Sequence, residues 1–284
     1  MLNSFSKVFM LKLAFSDPHS GVFRVWNKLI ALLIFVSCIV LALDSIPEVA
    51  KDYEHSFSVI EWFSVAIFTI DYFGHIAFSE KKWRYAFTMW GIIDLLSILP
   101  SYLMLLNLTA LQGSKVLRLL RVARVLRVLK LARMMTANGK STNPVLDNLK
   151  IYFIVLFSVL MISSTAMFFV EGELYSPEVM VAGQQALDQK AAPGAEPEKF
   201  MPTDPITGNA IPEDKRFFTS IPTAMWWCIV TLTTTGYGDM FPVTVGGRLV
   251  AAVTMLLGLV LFGILLNVIG NTLMLVLFGE KTKE

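Results

Sequence analysis

Thr233, Thr234, Thr235, Gly236, Tyr237, Gly238 and Asp239 follow one another without interruption, and their types suit one piece of chemistry, the replacement of a cation's water shell by main-chain oxygens. A cation sheds its water only where a set of oxygens offers comparable energy, and backbone carbonyls do this without burying a net charge. Glycine at positions 236 and 238 lets the chain take positive φ at alternate residues, which a Cβ resists, so successive carbonyls can face one axis. Thr234 adds its hydroxyl at the inner end. Gly-Tyr-Gly alone would read as a surface turn, but the residues before it decide otherwise. Phe217 to Leu232 is apolar, too short to cross a bilayer and runs straight into the threonines. That is the pattern of a re-entrant helix, whose following loop can be irregular because it lines a water-filled path.

A second set of residues could respond to an electric field. Lys115, Arg118, Arg121, Arg124, Arg127, Lys130 and Arg133 recur at every third position, with apolar residues between them. In an α-helix three steps of 100° leave a lag of about 60°, so the cations climb one side as a slow spiral with about 4.5 Å between levels. Placing such a helix in lipid costs roughly 2.5 to 3.5 kcal/mol for each central cation, so it needs counter-charges and water. Glu61, Phe68, Asp71 and His75 lie seven, three and four residues apart on one helix face, and Asp94 stands in the next apolar segment. Asp44 is a weaker candidate near the end of the first. Each elementary charge crossing the field changes the energy by about 2.3 kcal/mol per 100 mV, enough for a handful of cations to drive a gate. An interfacial or nucleic-acid-binding helix would instead cluster its cations on one face.

The elements that must hold these residues are membrane helices. Hydrophobic residues make up 55% of the chain and charged residues only 16%, where soluble domains carry about a quarter charged, and the mean hydropathy is +0.62. Six long apolar segments run from about Leu29 to Ile46, Phe57 to Phe78, Trp90 to Leu108, Val116 to Met135, Ile151 to Val170 and Leu249 to Phe278, each near the roughly 20 residues a crossing needs. Lysine and arginine concentrate before the first segment (Lys7, Lys12, Arg24, Lys28), between the second and third (Lys81, Lys82, Arg84), between the fourth and fifth (Lys140, Lys150) and after the sixth (Lys281, Lys283). Both termini are therefore expected in the cytoplasm. The N-terminus, interrupted by Lys12 and without a small-residue cleavage site, reads as a short amphipathic segment on the inner surface and not as a signal peptide. Cys38 and Cys228 fall inside apolar segments and read as small apolar residues. The stretch from Glu171 to Arg216 is polar and mostly acidic, an outer surface that would concentrate cations or a solvated, partly disordered loop.

Ala224 through Val243 closely resembles the pore helix and filter of potassium channels, whose familiar filter is four copies of a Thr-Val-Gly-Tyr-Gly loop. The basic triplets with their acids resemble a voltage-sensor domain. From about Trp26 to Phe278 the chain resembles the voltage-gated potassium channel family, with a six-span subunit and short ends that fit a prokaryotic source. The resemblance implies an all-α membrane protein with six transmembrane helices, a re-entrant pore helix, a four-helix sensor and a two-helix pore module. It divides the chain into an N-terminal segment (1–25), sensor (26–133), linker (134–148), pore domain (149–278, with turret 171–216 and pore helix and filter 217–240) and tail (279–284).

The resemblance also implies roles. Potassium would be held at Thr234, Thr235, Gly236 and Tyr237, with Gly238 completing the filter and Trp226, Trp227 and Asp239 supporting it. Gating charge would fall on Arg118, Arg121, Arg124 and Arg127, with Lys130 and Arg133 nearer the cytoplasm. Glu61 would form the outer charge cluster, Phe68 the plug, and Asp71 with Asp94 the inner transfer site. Gly258 would be the hinge, and Phe262, Leu266, Ile269 and Leu273 the inner gate. A homotetramer in the cell membrane is expected, with lipid and potassium as partners, no nucleic acid, no cofactor beyond the permeant ion, no catalytic site and no ligand-binding domain after Phe278. The alternative is another multispan voltage-sensing membrane protein, either a proton-conducting sensor or a transporter. Thr235 departs from the family's usual Val: its carbonyl is unchanged, so selectivity should survive, but its hydroxyl must find a partner behind the filter.

Overall fold

The computed structural model describes residue 15 and residues 20–79, 82–105, 114–132, 144–190 and 198–278. Among these the secondary structure is helical apart from one isolated bridge between Thr203 and Ala210. Among the described residues, four helical stretches are long and apolar enough to cross a membrane. Two compact units form, one from residues 1–162 with 264–284 and one from residues 163–263.

In the first unit α1 (Gly21–Asp44) starts where Ser20 Oγ accepts from the Phe23 amide at 3.0 Å, satisfying one of the free donors at a helix start. Pro47 opens α2 (Pro47–Phe78), a position where its missing N–H costs nothing. After the short α3 (Lys82–Ala86) come α4 (Met89–Leu105) and α5 (Ser114–Ala123). Ile34, Val65, Phe68 and Val128 fill the interior, at most 1% exposed. The opposite faces are apolar too, with Leu32, Phe63 and Phe73 about 60% exposed. Helices apolar all round are what lipid requires. Phe15 is buried against Trp26, His75 and Phe78, over Gly74, where a Cβ would come within 2.5 Å of its ring.

The basic segment departs from the expected continuous α-helix. Beyond Ala123 it winds as a 3₁₀-helix from Arg124 to Leu129. With three residues per turn and about 2.0 Å of rise each, Arg124, Arg127 and Lys130 stack in line about 6 Å apart, so the expected slow spiral does not hold there. The side chains of Lys115 and Arg118, and all of Arg133, lie outside the described residues, as do residues 1–14, most of the expected linker and the tail. The next helix, α6 (Pro144–Gly172), starts at Pro144, so residues 144–148 of that linker are already helical.

The second unit holds the end of α6, α7 (Pro177–Lys190), α8 (Ile221–Leu232) and the first part of α9 (Val245–Phe278). The described residues of the outer stretch are held by specific bonds. Gln184 on α7 donates to the Glu198 carbonyl and accepts from the Phe200 amide, both at 2.9 Å. Asp204 caps a turn by accepting from the amides of Ile206 and Thr207, and these bonds hold its carboxyl below the usual range. Ser220 and Thr223 form a capping box at the start of α8, and Thr244 Oγ1 accepts from the Gly247 amide at the start of α9.

Gly258 does not mark a break: α9 is continuous through it. A Cβ there would lie 2.9 Å from the Leu232 carbonyl oxygen and 3.0 Å from its Cα, so α9 passes the C-terminal end of α8 too closely for any side chain. Gly258→Ala should therefore destabilise the folded protein by about 1 to 3 kcal/mol, the usual cost of overpacking. Chemical unfolding in detergent checks this, and a variant as stable as the parent would contradict the close approach.

Candidate functional site

The basic ladder meets its acids level by level. Arg121, half exposed, lies 4.0 Å from Asp44. Arg124 Nε lies 3.4 Å from Glu61 Oε1, and its Nη2 donates to Met104 Sδ at 3.1 Å. A cavity of about 310 Å³ lined in part by Asp44, Glu54, Glu61, Arg121 and Arg124 lets solvent reach this level.

One level on, Arg127 is 1% exposed and uses every donor it has. Its Nε donates to the Ser97 carbonyl, Nη1 to Ser37 Oγ and Glu61 Oε2, and Nη2 to Glu61 Oε1 and Ser101 Oγ, at 2.5 to 3.0 Å. A guanidinium carries five N–H groups in a fixed fork, and all five are met. Ser101 also donates to Glu61 Oε1 at 2.8 Å, bracing the carboxylate. Pro100 removes one backbone bond from α4, close to the turn where the Ser97 carbonyl takes its bond from Arg127.

Phe68 closes the next level. Its ring, fully buried, stands 5.7 Å from the Arg127 guanidinium carbon and 5.0 Å from Lys130 Nζ, within range for cation–π attraction to both. Beyond it Lys130 Nζ lies 3.0 Å from Asp71 Oδ2 and 3.1 Å from Asp94 Oδ1. These acids are held in turn. Trp26 donates to Asp71 Oδ1 at 2.8 Å, His75 Nε2 lies 3.4 Å from the same oxygen, and the Tyr85 hydroxyl donates to Asp94 Oδ2 at 2.6 Å. Glu61, Phe68, Asp71 and Asp94 are thus brought to one column with Arg124, Arg127 and Lys130. Trp26, Ser37, Tyr85, Ser97 and Ser101 complete the column and were not singled out by sequence, because aromatic and serine residues inside apolar helices have many duller roles.

In the second unit, Thr233 caps the end of α8, and the backbone then alternates in hand. Among the described non-glycine residues only Thr234 has positive φ, at 59°, and Gly236 and Gly238 follow at 60° and 76°. Thr234 joins the two glycines the sequence pointed to, at the strain cost of a residue with a branched Cβ in the left-handed region. The Thr235 and Gly236 amides both reach the Val230 carbonyl, at 3.0 and 3.3 Å. Residues 233–239 are all exposed in the single chain.

Trp226 stacks on Tyr237, centroids 6.0 Å apart and planes within 10°, and donates to Asp239 Oδ2 at 2.9 Å. Trp227 sits elsewhere, buried edge-on against Phe218 on the inner side of α8, so of the two tryptophans only Trp226 joins Tyr237. Phe262, Leu266, Ile269 and Leu273 form one stripe along α9, each about half exposed.

Glu171 was expected in the solvated turret and is instead fully buried. It accepts from the amides of Val243 and Thr244 at 3.1 and 2.9 Å and from the Thr244 hydroxyl at 2.6 Å, tying the end of α6 to the chain that leaves the threonine-glycine run. No local pattern signals this, since its partners are two backbone amides and a hydroxyl more than 70 residues away.

Removing Glu61 strands Arg127 in an apolar interior. Glu61→Ala should cost about 3 to 5 kcal/mol, as breaking a buried ion pair does, with Glu61→Gln intermediate. Urea unfolding of the purified protein in detergent measures this; a loss below about 1 kcal/mol would show that solvent already carries that charge.

The chain matches the ion transport protein family over residues 23–276. It is 28% identical to a protein of Rhodopseudomonas palustris named for a potassium channel, over 86% of this chain and 52% of that protein. It is 28% identical to a voltage-gated potassium channel regulatory subunit of Homo sapiens, over 87% of this chain and 46% of the relative, and 26% identical to an A-type voltage-gated potassium channel of Homo sapiens, over 90% and 35%. The chain thus spans about half or less of the length of these relatives. With the family match running from near the start of α1 to near the end of α9, the chain belongs to the ion transport protein family.

Proposed function

We propose that this multi-pass membrane protein is one subunit of a voltage-gated, potassium-selective channel that passes ions passively, without enzymatic chemistry. The observation that carries the proposal is the alternation of backbone hand at Thr234, Gly236 and Gly238. A chain that alternates left- and right-handed residues turns successive carbonyls to one side and successive amides to the other. The Thr235 and Gly236 amides turn toward α8, which leaves the carbonyls of the run for a cation on the opposite side. One chain supplies a single row, and rows from four copies would surround an ion as water does, with a homotetramer as the working unit. Exposure of the whole run in one subunit fits a surface completed by neighbours, as does the exposed stripe on α9.

The column of Arg121, Arg124, Arg127 and Lys130 supplies the voltage dependence in this account. α1, α2, α4 and the basic helix make the sensor, α6 and α9 the outer and inner helices of the pore, and α8 the re-entrant helix. Movement of the basic helix is passed to α9 through the linker, and both termini face the cytoplasm of a cell membrane. The names of the relatives agree with this assignment.

Two variants test the two halves separately. Gly236→Ala, which puts a Cβ on a residue at φ 60°, should abolish the preference for potassium over sodium in reversal-potential measurements, and a variant that kept it would contradict the pore assignment. Neutralising Arg121 and Arg124 together should make opening distinctly shallower with voltage, since each charge accounts for about 2.3 kcal/mol per 100 mV if it crosses the whole field. An unchanged slope would remove both from the sensor.

A further inference from the structure

Where the potassium channels it resembles carry a methyl group, Thr235 carries a hydroxyl, and that hydroxyl has a partner. Its Oγ1 lies 2.9 Å from Thr233 Oγ1. The Thr233 hydroxyl donates its one proton to the Ile229 carbonyl at 2.8 Å, which leaves it only lone pairs to offer. Thr235 is therefore the donor, and a directed chain runs from Thr235 through Thr233 to the last turn of α8. The main chain adds to it. The Thr235 amide donates to the Val230 carbonyl at 3.0 Å, while the Gly236 amide reaches the same oxygen only at 3.3 Å, beyond the usual range for an N–H···O bond.

In a trans peptide the C=O points opposite to the N–H. Rotating the Thr235 carbonyl out of the row therefore means turning the Gly236 amide off Val230, and that bond is the weak one. The hydroxyl chain fixes the residue on the other side of the same carbonyl. The geometry points to Thr235 as a positioning residue whose hydroxyl, acting through Thr233, holds the Thr235 carbonyl toward the permeating potassium ion and opposes its rotation into a non-conducting orientation. This rests on the channel assignment above and adds to it a reason for threonine at this position.

The test uses the full-length tetramer in planar bilayers with the pore held open by a sustained voltage step, reading the rate at which current decays. Thr235→Val keeps the shape and removes the hydroxyl, whereas Thr235→Ser keeps the hydroxyl. The current of Thr235→Val should decay about fivefold faster, which at 1.36 kcal/mol per decade is about 1 kcal/mol, the worth of one neutral hydrogen bond. Thr235→Ser, which restores the donor, should decay as the parent does. Thr233→Val breaks the same chain one link further on and should also speed decay; combined with Thr235→Val it should add little.

Parental decay in Thr235→Val, or in Thr233→Val should the first variant not assemble, would overturn the proposal. So would a Thr235→Ser current that decays as fast as Thr235→Val, or a lost ion preference in Thr235→Val, which would make the hydroxyl a ligand and not an anchor. Absence of potassium-selective current in the parent protein would overturn the channel assignment itself, a result distinct from any difference among conducting variants.

Discussion

A positive charge taken out of water must find replacement oxygens, and this requirement shapes both halves of the chain. For the fixed charge of Arg127 the replacement is complete: all five N–H groups of a 1% exposed guanidinium are matched by one carboxylate, two hydroxyls and a carbonyl. The desolvation cost of such a pair is of the same order as its attraction, so in the proposed sensor Glu61 and Arg127 would serve registry and movement more than stability. For a mobile ion the same problem calls for weaker oxygens, because an ion that is to leave again cannot meet a carboxylate. In the proposed pore backbone carbonyls would answer that need, and the alternating hand of Thr234, Gly236 and Gly238 would present them.

In the proposed sensor the 3₁₀ segment would link the charges to displacement. With Arg124, Arg127 and Lys130 in line and not spiralling, a shift of one level, about 6 Å, would bring each cation to the partners of its neighbour without rotation of the segment. Phe68 separates the Glu61 level from the Asp71 and Asp94 level, so the field would fall across one ring. The 3₁₀ geometry is less favourable than α-helix, and in the basic segment it covers, among the described residues, Arg124 to Leu129, where Arg124 and Arg127 reach Glu61, with Lys130 immediately after it reaching Asp71 and Asp94.

Much of this was legible in the sequence because the signals were periodic or chemically expensive. Acids and bases inside apolar helices have few harmless explanations, and Glu61, Asp71, Asp94, Arg124, Arg127 and Lys130 all meet across the first unit. The triplet spacing did not reveal the 3₁₀ turn, since the same spacing at Lys115, Arg118 and Arg121 sits in the α-helical α5. Glu171 was misplaced because the polar composition downstream of it suggested solvent, whereas its burial depends on amides at Val243 and Thr244 that no local pattern could reveal. Gly258 carried a hinge expectation, but the structure gives it a steric reason, the passage of α9 over Leu232. Trp227 shows the limit of adjacency: next-door residues on a helix point about 100° apart, and only Trp226 reaches Tyr237.

In the proposed channel, main-chain oxygens of the Thr234 to Tyr237 row replace the water of potassium while buried cations sense the membrane field. Purified protein in planar bilayers, with potassium on one side and sodium on the other under stepped voltage, tests both parts at once. The account predicts a current that reverses near the potassium equilibrium potential and whose open fraction depends steeply on voltage. A current reversing midway between the two ions, or one independent of voltage, would contradict it.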